Sequence, residues 1–402
     1  MDILYTTSSF PHGKGESFLA AEVTELVSQG HSIKIVPIFP RGRVNSEHEE
    51  TITSKTVARP PISLEILVCG LVVFFLQPIT VSLLFIKVLS HFSRPAQIPR
   101  RLIAFIKGLW LSKLVRESAV DHIHAHWGTA SATMAMVASH VSGVPWSLTC
   151  HRWDIVENDL LAEKLRSVLF ARVISKSSLS LLSSVLQTDV DDSTPVHVIH
   201  MGVEIGKTQK PRSNAPFVIM CPARLTPIKG HEHLIRAVAL LRDCGFDVEL
   251  WVAGDGELRV CLEGLVVRER LADRVRFRGY CARSQLIQWY SSGVISCVVL
   301  PSVDLGSGQH EGIPVALMEA MAHDVPVIST DTGGIPELVA GAGLIVPPAD
   351  SESLARAIEL LIEDFSLRKQ LSYVGRERVS RDFNINKVAA ELVSRMTSSP
   401  PT

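Results

Sequence analysis

The stretch that most narrows the possible folds runs from Pro301 to Val339, PSVDLGSGQHEGIPVALMEAMAHDVPVISTDTGGIPELV. The apolar run before it, Val294 to Leu300, reads as a buried strand. The chain then crosses a loop containing Gly306, Gly308 and Gly312 and enters a short helix at Pro314. Proline suits a first helical turn, because its missing N–H would have had no partner there. No Ser, Thr, Asp or Asn stands directly before Pro314, so the first N–H groups of that helix want another acceptor. An anion such as phosphate fits, since the free donors and the helix dipole act together. Glu311 in the loop and Glu319 inside the helix bracket the place and can hold two ends of one extended ligand.

The combination His310-Glu311-Gly312-Ile313-Pro314, then Glu319, then Gly333-Gly334-Ile335-Pro336-Glu337 resembles the donor-site signature of retaining, nucleotide-sugar-dependent glycosyltransferases of family four. The resemblance implies that Glu311 touches the donor sugar, that Glu319 holds the nucleotide ribose, and that the backbone of Gly312, Ile313 and Pro314 meets the diphosphate. It also implies the α/β GT-B architecture, two Rossmann-like domains facing across a cleft. A chain of 402 residues is comfortable as two domains, and the alternation of strands and helices runs through it twice.

Net charge is −1, so nothing in the composition suggests a nucleic-acid partner. The seven cysteines are scattered, odd in number and free of any Cys-x-x-Cys pair, as in a reduced cytoplasmic protein. Asp2-Ile3-Leu4-Tyr5 follows the initiator directly, without the basic and apolar regions of a secretory signal.

In the first half, Asp2 to Thr7 reads as a strand, followed by turn-rich Ser8 to Gly15, a helix over Glu16 to Gln29 and a second strand over Ile33 to Phe39. This is a Rossmann-type opening with room for an anion at the helix start. In the resembled family this loop, here with Gly13, Lys14 and Gly15, belongs to the acceptor side. Further on, His124-Ala125-His126-Trp127-Gly128 and Thr149 to Asp154 are similar to paired motifs of exopolysaccharide glycosyltransferases of the colanic acid type. That similarity implies that His151 is an active-site residue meeting the donor sugar, and that His126 supports the acceptor cleft. Histidines 122, 124, 126 and 151 invite a metal reading, but no paired carboxylate and no His-x-x-x-His helix support it, and no metal is expected. Asp189-Val190-Asp191 lies in a polar turn and reads as solvated loop. Helices are expected over Glu157 to Phe170 and Ser177 to Leu186, around a short strand at Arg172 to Ser175.

The composition changes within an insertion at 62–116. Ile66 to Ile86 carries no charge and approaches the roughly 20 apolar residues that cross a bilayer. Gly70, Gln77 and Pro78 interrupt it, and a basic flank follows: Lys87, Arg94, Arg100, Arg101, Lys107, Lys113 and Arg116. Three readings stand: a hairpin lying on an anionic bilayer face, a buried helical pair, or a span. The first would place the protein in the cytoplasm, peripheral on the inner face of the plasma membrane.

The first domain is expected over residues 1–206, a polar linker at 207–216, the donor domain over 217–385, and a terminal helix and tail at 386–402 packing back on the first domain. Arg224 and Lys229, at a strand mouth and a helix start, can neutralise a diphosphate. They also resemble the family's Arg…Lys-Gly pair, and Gly279 and Tyr280 resemble the strand end that frames the base. Gly254-Asp255-Gly256 lacks the third glycine of a dinucleotide site, since position 259 is Arg. The reading is a metal-independent transfer of a hexosyl group from a nucleotide diphosphate sugar to a hydroxyl of a glycan or lipid-linked saccharide. No cofactor is expected beyond the donor itself. A GT-B nucleotide-sugar epimerase and a non-catalytic membrane scaffold remain open.

Overall fold

Short apolar strands separated by amphipathic helices form two parallel six-stranded sheets in a computed structural model that describes residues 1–13, 16–42, 44, 49–89, 95–186, 196–206, 216–306 and 309–397. The sheets belong to two units, Met1–His200 with Ile385–Thr402, and Met201–Asn384. In the first unit the strands are β1 (Asp2–Thr7), β2 (Ser32–Pro37), β3 (His122–His126), β4 (Trp146–Cys150), β5 (Phe170–Val173) and β6 (Val196–Val198). Their order is β2-β1-β3-β4-β5-β6. Beside β2 a single parallel bridge joins Ile35 to Thr56, with Val57 N donating to Ile35 O at 2.8 Å.

Alternation along β1 sends its side chains to two cores. Leu4 packs with Ile66, Leu109, Trp110 and the helix Ala130–Ser142. Ile3 and Tyr5 pack with Leu19 and Leu26 of the helix Leu19–Ser28 and with Val388 and Leu392 of the last helix, Ile385–Thr397.

In the second unit β7 (Phe217–Pro222), β8 (Val248–Ala253), β9 (Val275–Gly279), β10 (Cys297–Leu300), β11 (Val327–Thr330) and β12 (Leu344–Val346) take the order β12-β11-β10-β7-β8-β9. The order reverses between β7 and β10, and in such sheets ligands bind beyond the carboxyl ends of the strands at that switch. The loops leaving β7 and β10 are those that carry Arg224, Lys229 and Glu311.

Several boundaries differ from the sequence reading. Glu157 to Phe170 is not one helix. Arg152–Glu157 and Leu161–Leu165 are separate, because Asn158 and Leu160 take left-handed φ values of 43° and 55° between them. The strand expected at Arg172 to Ser175 begins earlier, at Phe170. Pro314 stands just before the helix Val315–Ala322, in extended backbone with ψ 118°, and is not its first residue. The division between units falls at His200 and Met201, ahead of the expected 206. Met201 and Val203 are buried, Val203 N donates to Phe383 O at 2.8 Å, and Arg376 donates to Gly206 O at 2.7 Å, so this segment packs with the second unit. The linker reading at 207–216 falls almost wholly on positions outside the described residues, as do Lys14, Gly15, Arg94, Gly308 and Asp189-Val190-Asp191.

The largest correction concerns the basic flank. The helix Ile98–Glu117 turns Arg101 and Lys107 inward. Arg101 Nε pairs with Asp159 at 2.7 Å, both buried. Lys107 Nζ donates to the carbonyls of Pro37, Ile38 and Arg59 at 2.7–2.9 Å, and burial pushes its ammonium down to about 7. Arg116 donates to Val141 O, and Lys87 pairs with Glu163 at 3.1 Å. Apart from Arg100 and Lys113, the described cations of the flank tie the first unit together and do not form a basic face.

Candidate active site

In the second unit, two opposed charge pairs sit at the end of the switch. Lys229 Nζ forms an ion pair with Glu311 Oε1, and both side chains keep a little solvent access. Lys229 closes a short 3-10 turn, Pro227–Lys229, and Gly230 follows with φ 61°. A Cβ at Gly230 would lie 2.0 Å from Pro301 O, so only glycine lets the β7 loop cross the end of β10 here. Gly333 does the same for the loop bearing Glu311: its φ is 55°, and a Cβ would meet Glu311 O at 1.9 Å. His310 Nδ1 lies 2.8 Å from that same carbonyl. Gly312 and buried Ile313 lie against Gly334, directly before a helix start at Pro314 that no side chain caps. That start has donors to offer an anion.

Glu319, inside the helix Val315–Ala322, is buried and accepts from Arg283 Nε at 2.5 Å. Arg283 also approaches Glu204 at 3.7 Å. Burial raises the Glu319 carboxyl above its usual range, and the guanidinium opposes that shift. Arg224 is exposed in the loop after β7. Gly279, with φ 69°, ends β9, and Tyr280 beside it is exposed. The structure thus joins Glu311 to Lys229 and Glu319 to Arg283, a partner that nothing in the sequence marked.

In the first unit the two histidine motifs meet as a ladder. Side chains two residues apart on β3 face alternate positions from Ser147 on parallel β4. His122 Nε2 and His124 Nδ1 each lie 2.7 Å from Ser147 Oγ, and His124 Nε2 lies 2.9 Å from Thr149 Oγ1. His126 Nε2 stands 2.7 Å from His151 Nε2. The two motifs are therefore one site. Trp127, with φ 91°, stacks on His151 at 4.3 Å between centroids. Burial pushes His151 down to about 3, with nearby Arg172 adding to the shift, and drives His126 well below its usual value. Both imidazoles are neutral at physiological pH. His151 begins the helix Arg152–Glu157 and donates its N–H to Asp154 at 2.8 Å. Asp154 is pushed up to about 7 by burial.

Sequence reasoning missed Glu16. Its carboxylate accepts Ser9 N and Phe10 N at 2.6 Å and Ser8 N at 3.2 Å, and Trp127 Nε1 donates to it as well. The anion place expected after β1 is thus filled from within the chain. A carboxylate just behind a turn-rich loop was the available signal. Gly13 stands in this loop with φ 75°. Glu22, His124 and His126 place possible ligand atoms within 4.8 Å of one another. Those of Glu22 and His124 are engaged by Tyr5, Arg172, Ser147 and Thr149, and the guanidinium already balances the carboxylate.

Residues 204–378 match the family model described as glycosyl transferases group 1. Over 98% of its length the chain is 26% identical to the whole of an amylovoran biosynthesis glycosyltransferase, AmsK, from Erwinia amylovora. Over half of each chain it is 33% identical to WcaL, a putative colanic acid biosynthesis glycosyltransferase from Escherichia coli. Among solved structures, Anabaena HepE in complex with UDP superposes with a TM-score of 0.72 at 18% identity, over 99% of this chain and 100% of that one. This likeness gives both sheets the GT-B fold.

Proposed function

We propose that the chain, whose residues 204–378 match the family model of group 1 glycosyl transferases, transfers a hexosyl group from a nucleotide diphosphate sugar, with retention, to a hydroxyl in polysaccharide biosynthesis. The acceptor is a glycan or a lipid-linked saccharide. The observation that carries the reading is the Lys229–Glu311 pair beside the uncapped helix start at Pro314. A diphosphate arriving there would take the ammonium and the free N–H groups, leaving Glu311 to the sugar. Arg224 would add a second cation. Glu319, oriented by Arg283, would accept from the ribose, and Gly279 with Tyr280 would frame the base.

As the C1–O bond to the phosphate breaks, its electron pair moves to the departing diphosphate, whose added charge these donors stabilise. The acceptor oxygen bonds to C1 from the same face, and its proton passes to the leaving phosphate oxygen, as the family resemblance favours. Neutral His151 and His126 suit hydrogen bonding to sugar hydroxyls better than charge stabilisation. The presence of UDP in the HepE structure makes UDP-sugars the first donors to try. The relatives' names, with amylovoran and colanic acid biosynthesis, support a polysaccharide acceptor. Seven unpaired cysteines suit a reducing cytoplasm.

Thermal-shift screening against UDP-, GDP- and ADP-sugars, followed by product analysis with the stabilising donor, tests the reading. A new glycosidic bond is expected, and isomerised donor alone would refute transfer. Activity should survive EDTA, because side-chain and backbone donors do the work of a metal. Full loss with EDTA, restored by Mn²⁺, would overturn metal independence.

A further inference from the structure

We infer that the outward face of the helices Leu64–Leu76 and Pro78–Leu89 docks into the hydrocarbon edge of a lipid bilayer, from one side and without regard to lipid charge. The inner faces of this pair are accounted for: Ile66, Gly70, Val73, Val81, Leu84 and Val88 are buried in the first unit's core. The outer face holds a concentration of exposed large apolar side chains, among them Leu67, Val68, Leu71, Val72, Leu83 and Ile86. Soluble surfaces rarely leave such side chains contiguous without a partner.

Three observations select lipid as that partner. The first is chemical: no charge occurs from Ile66 to Ile86, so the face offers almost nothing for a protein partner's hydrogen bonds, which ordinary interfaces use. The second is dimensional. Together the helices are apolar enough for a span, yet they bend by 117° between Leu76 and Pro78, and among the described residues no single helix is long and apolar enough to cross a membrane. Legs of 13 and 12 residues reach about 20 Å each, short of the roughly 30 Å hydrocarbon core. Within each leg the backbone is hydrogen-bonded as helix, so one-sided entry leaves few polar groups bare beyond those at the helix ends.

The third observation is shape and charge at the rim. Phe75, Leu76 and Ile79, at the bend itself, are 75%, 72% and 76% exposed. Values so high mark a projecting corner, which penetrates fluid lipid more readily than it forms the self-complementary patch of a two-fold dimer. Ion pairs balance the rim, Arg59 with Glu65 at 3.0 Å and Lys87 with Glu163 at 3.1 Å. Among the described residues, Arg101 and Lys107 are buried and exposed Arg100 and Lys113 are paired with Glu157 and Glu117, so little basic field remains to select anionic headgroups.

Flotation of the full chain with vesicles of phosphatidylcholine alone, and of phosphatidylcholine mixed with phosphatidylglycerol, tests this at low and high salt. Binding to both should be equal and insensitive to salt. Replacing Phe75, Leu76 and Ile79 together by Ser should lower partitioning by about a hundredfold. Arg100→Gln with Lys113→Gln should change it less than about twofold. The three apolar side chains are exposed, so thermal unfolding should be preserved; Leu71→Ser with Leu83→Ser, on the two legs, repeats the test if the corner variant misfolds. Failure of the parent to float on either vesicle overturns the docking. Binding confined to anionic vesicles and lost in salt overturns charge independence. A dimer by light scattering that the corner variant dissociates assigns the face to a second copy. Activity plays no part in the assay, so its failure leaves the glycosyl-transfer reading standing.

Discussion

The candidate site in the second unit and the histidine site in the first occupy equivalent places, the ends of parallel strands, and handle charge in opposite ways. The second unit sets its charged groups in opposed pairs, Lys229 with Glu311 and Arg283 with Glu319. The first unit suppresses charge where His151 and His126 meet, by burying both imidazoles, and shuts its carboxylate Glu16 into a ring of N–H donors. An incoming dianion needs cations that are free to change partners. A neutral hydroxyl needs only donors and acceptors of fixed geometry. The difference therefore argues for an anionic ligand in the second unit and a neutral one in the first.

The sharpest test of that contrast is Lys229→Ala. It leaves Glu311 unpaired and, on the proposed donor assignment, takes a cation from the departing phosphate, so turnover should fall by about a hundred- to a thousandfold. Rates within threefold of the parent would break the donor assignment. Next in size is Glu319→Ala, which should weaken free nucleotide by about 1.5–3 kcal/mol, roughly ten- to a hundredfold, in a calorimetric titration. Arg283→Ala should shift affinity in the same direction by less, since the carboxylate loses its anchor and not its place. Unchanged nucleotide affinity in Glu319→Ala would sink the ribose role.

His151→Ala should lower turnover by about tenfold while nucleotide affinity stays within error, because it removes a neutral hydrogen-bonding group. A loss of nucleotide affinity equal to that of Glu319→Ala would erase the contrast between the units. The smallest effect is on stability. His122 and His151, both pushed to about 3 by burial, stay neutral in the fold and protonate once unfolded. Their contribution is present above about pH 6.5 and lost as pH falls towards 3, so the unfolding temperature should drop on acidification. Asp154, raised to about 7, acts in the other direction. It favours the fold below about pH 4 and loses that effect as pH rises through 7, and Asp154→Asn should flatten this upper limb in a calorimetric pH series.

Strand-and-helix alternation, the glycine-rich loop before Glu311, the cations after β7 and the two histidine motifs were all legible in the sequence. Each depends on residues close together in the chain. Period-two spacing was enough to put His122, His124 and His126 on one face of a strand. It could not pair His126 with His151, 25 residues away, because that contact depends on the register of β3 against β4. Nor could local pattern find Arg283 for Glu319, 36 residues apart, or see that Glu16 fills the anion place of its own loop.

The helix Ile98–Glu117 shows most clearly where the line falls. Its sequence determined that a basic segment would follow a charge-free stretch, because composition and spacing are properties of the chain alone. Which cations face water was decided only in three dimensions. Lys107 turns inward because three carbonyls from distant segments converge on its ammonium, and Arg101 because Asp159 waits there buried. Side-chain type decides what a group can bond to. Only tertiary structure decides whether its partner is protein or solvent, and so whether the same charge holds a core together or marks a surface.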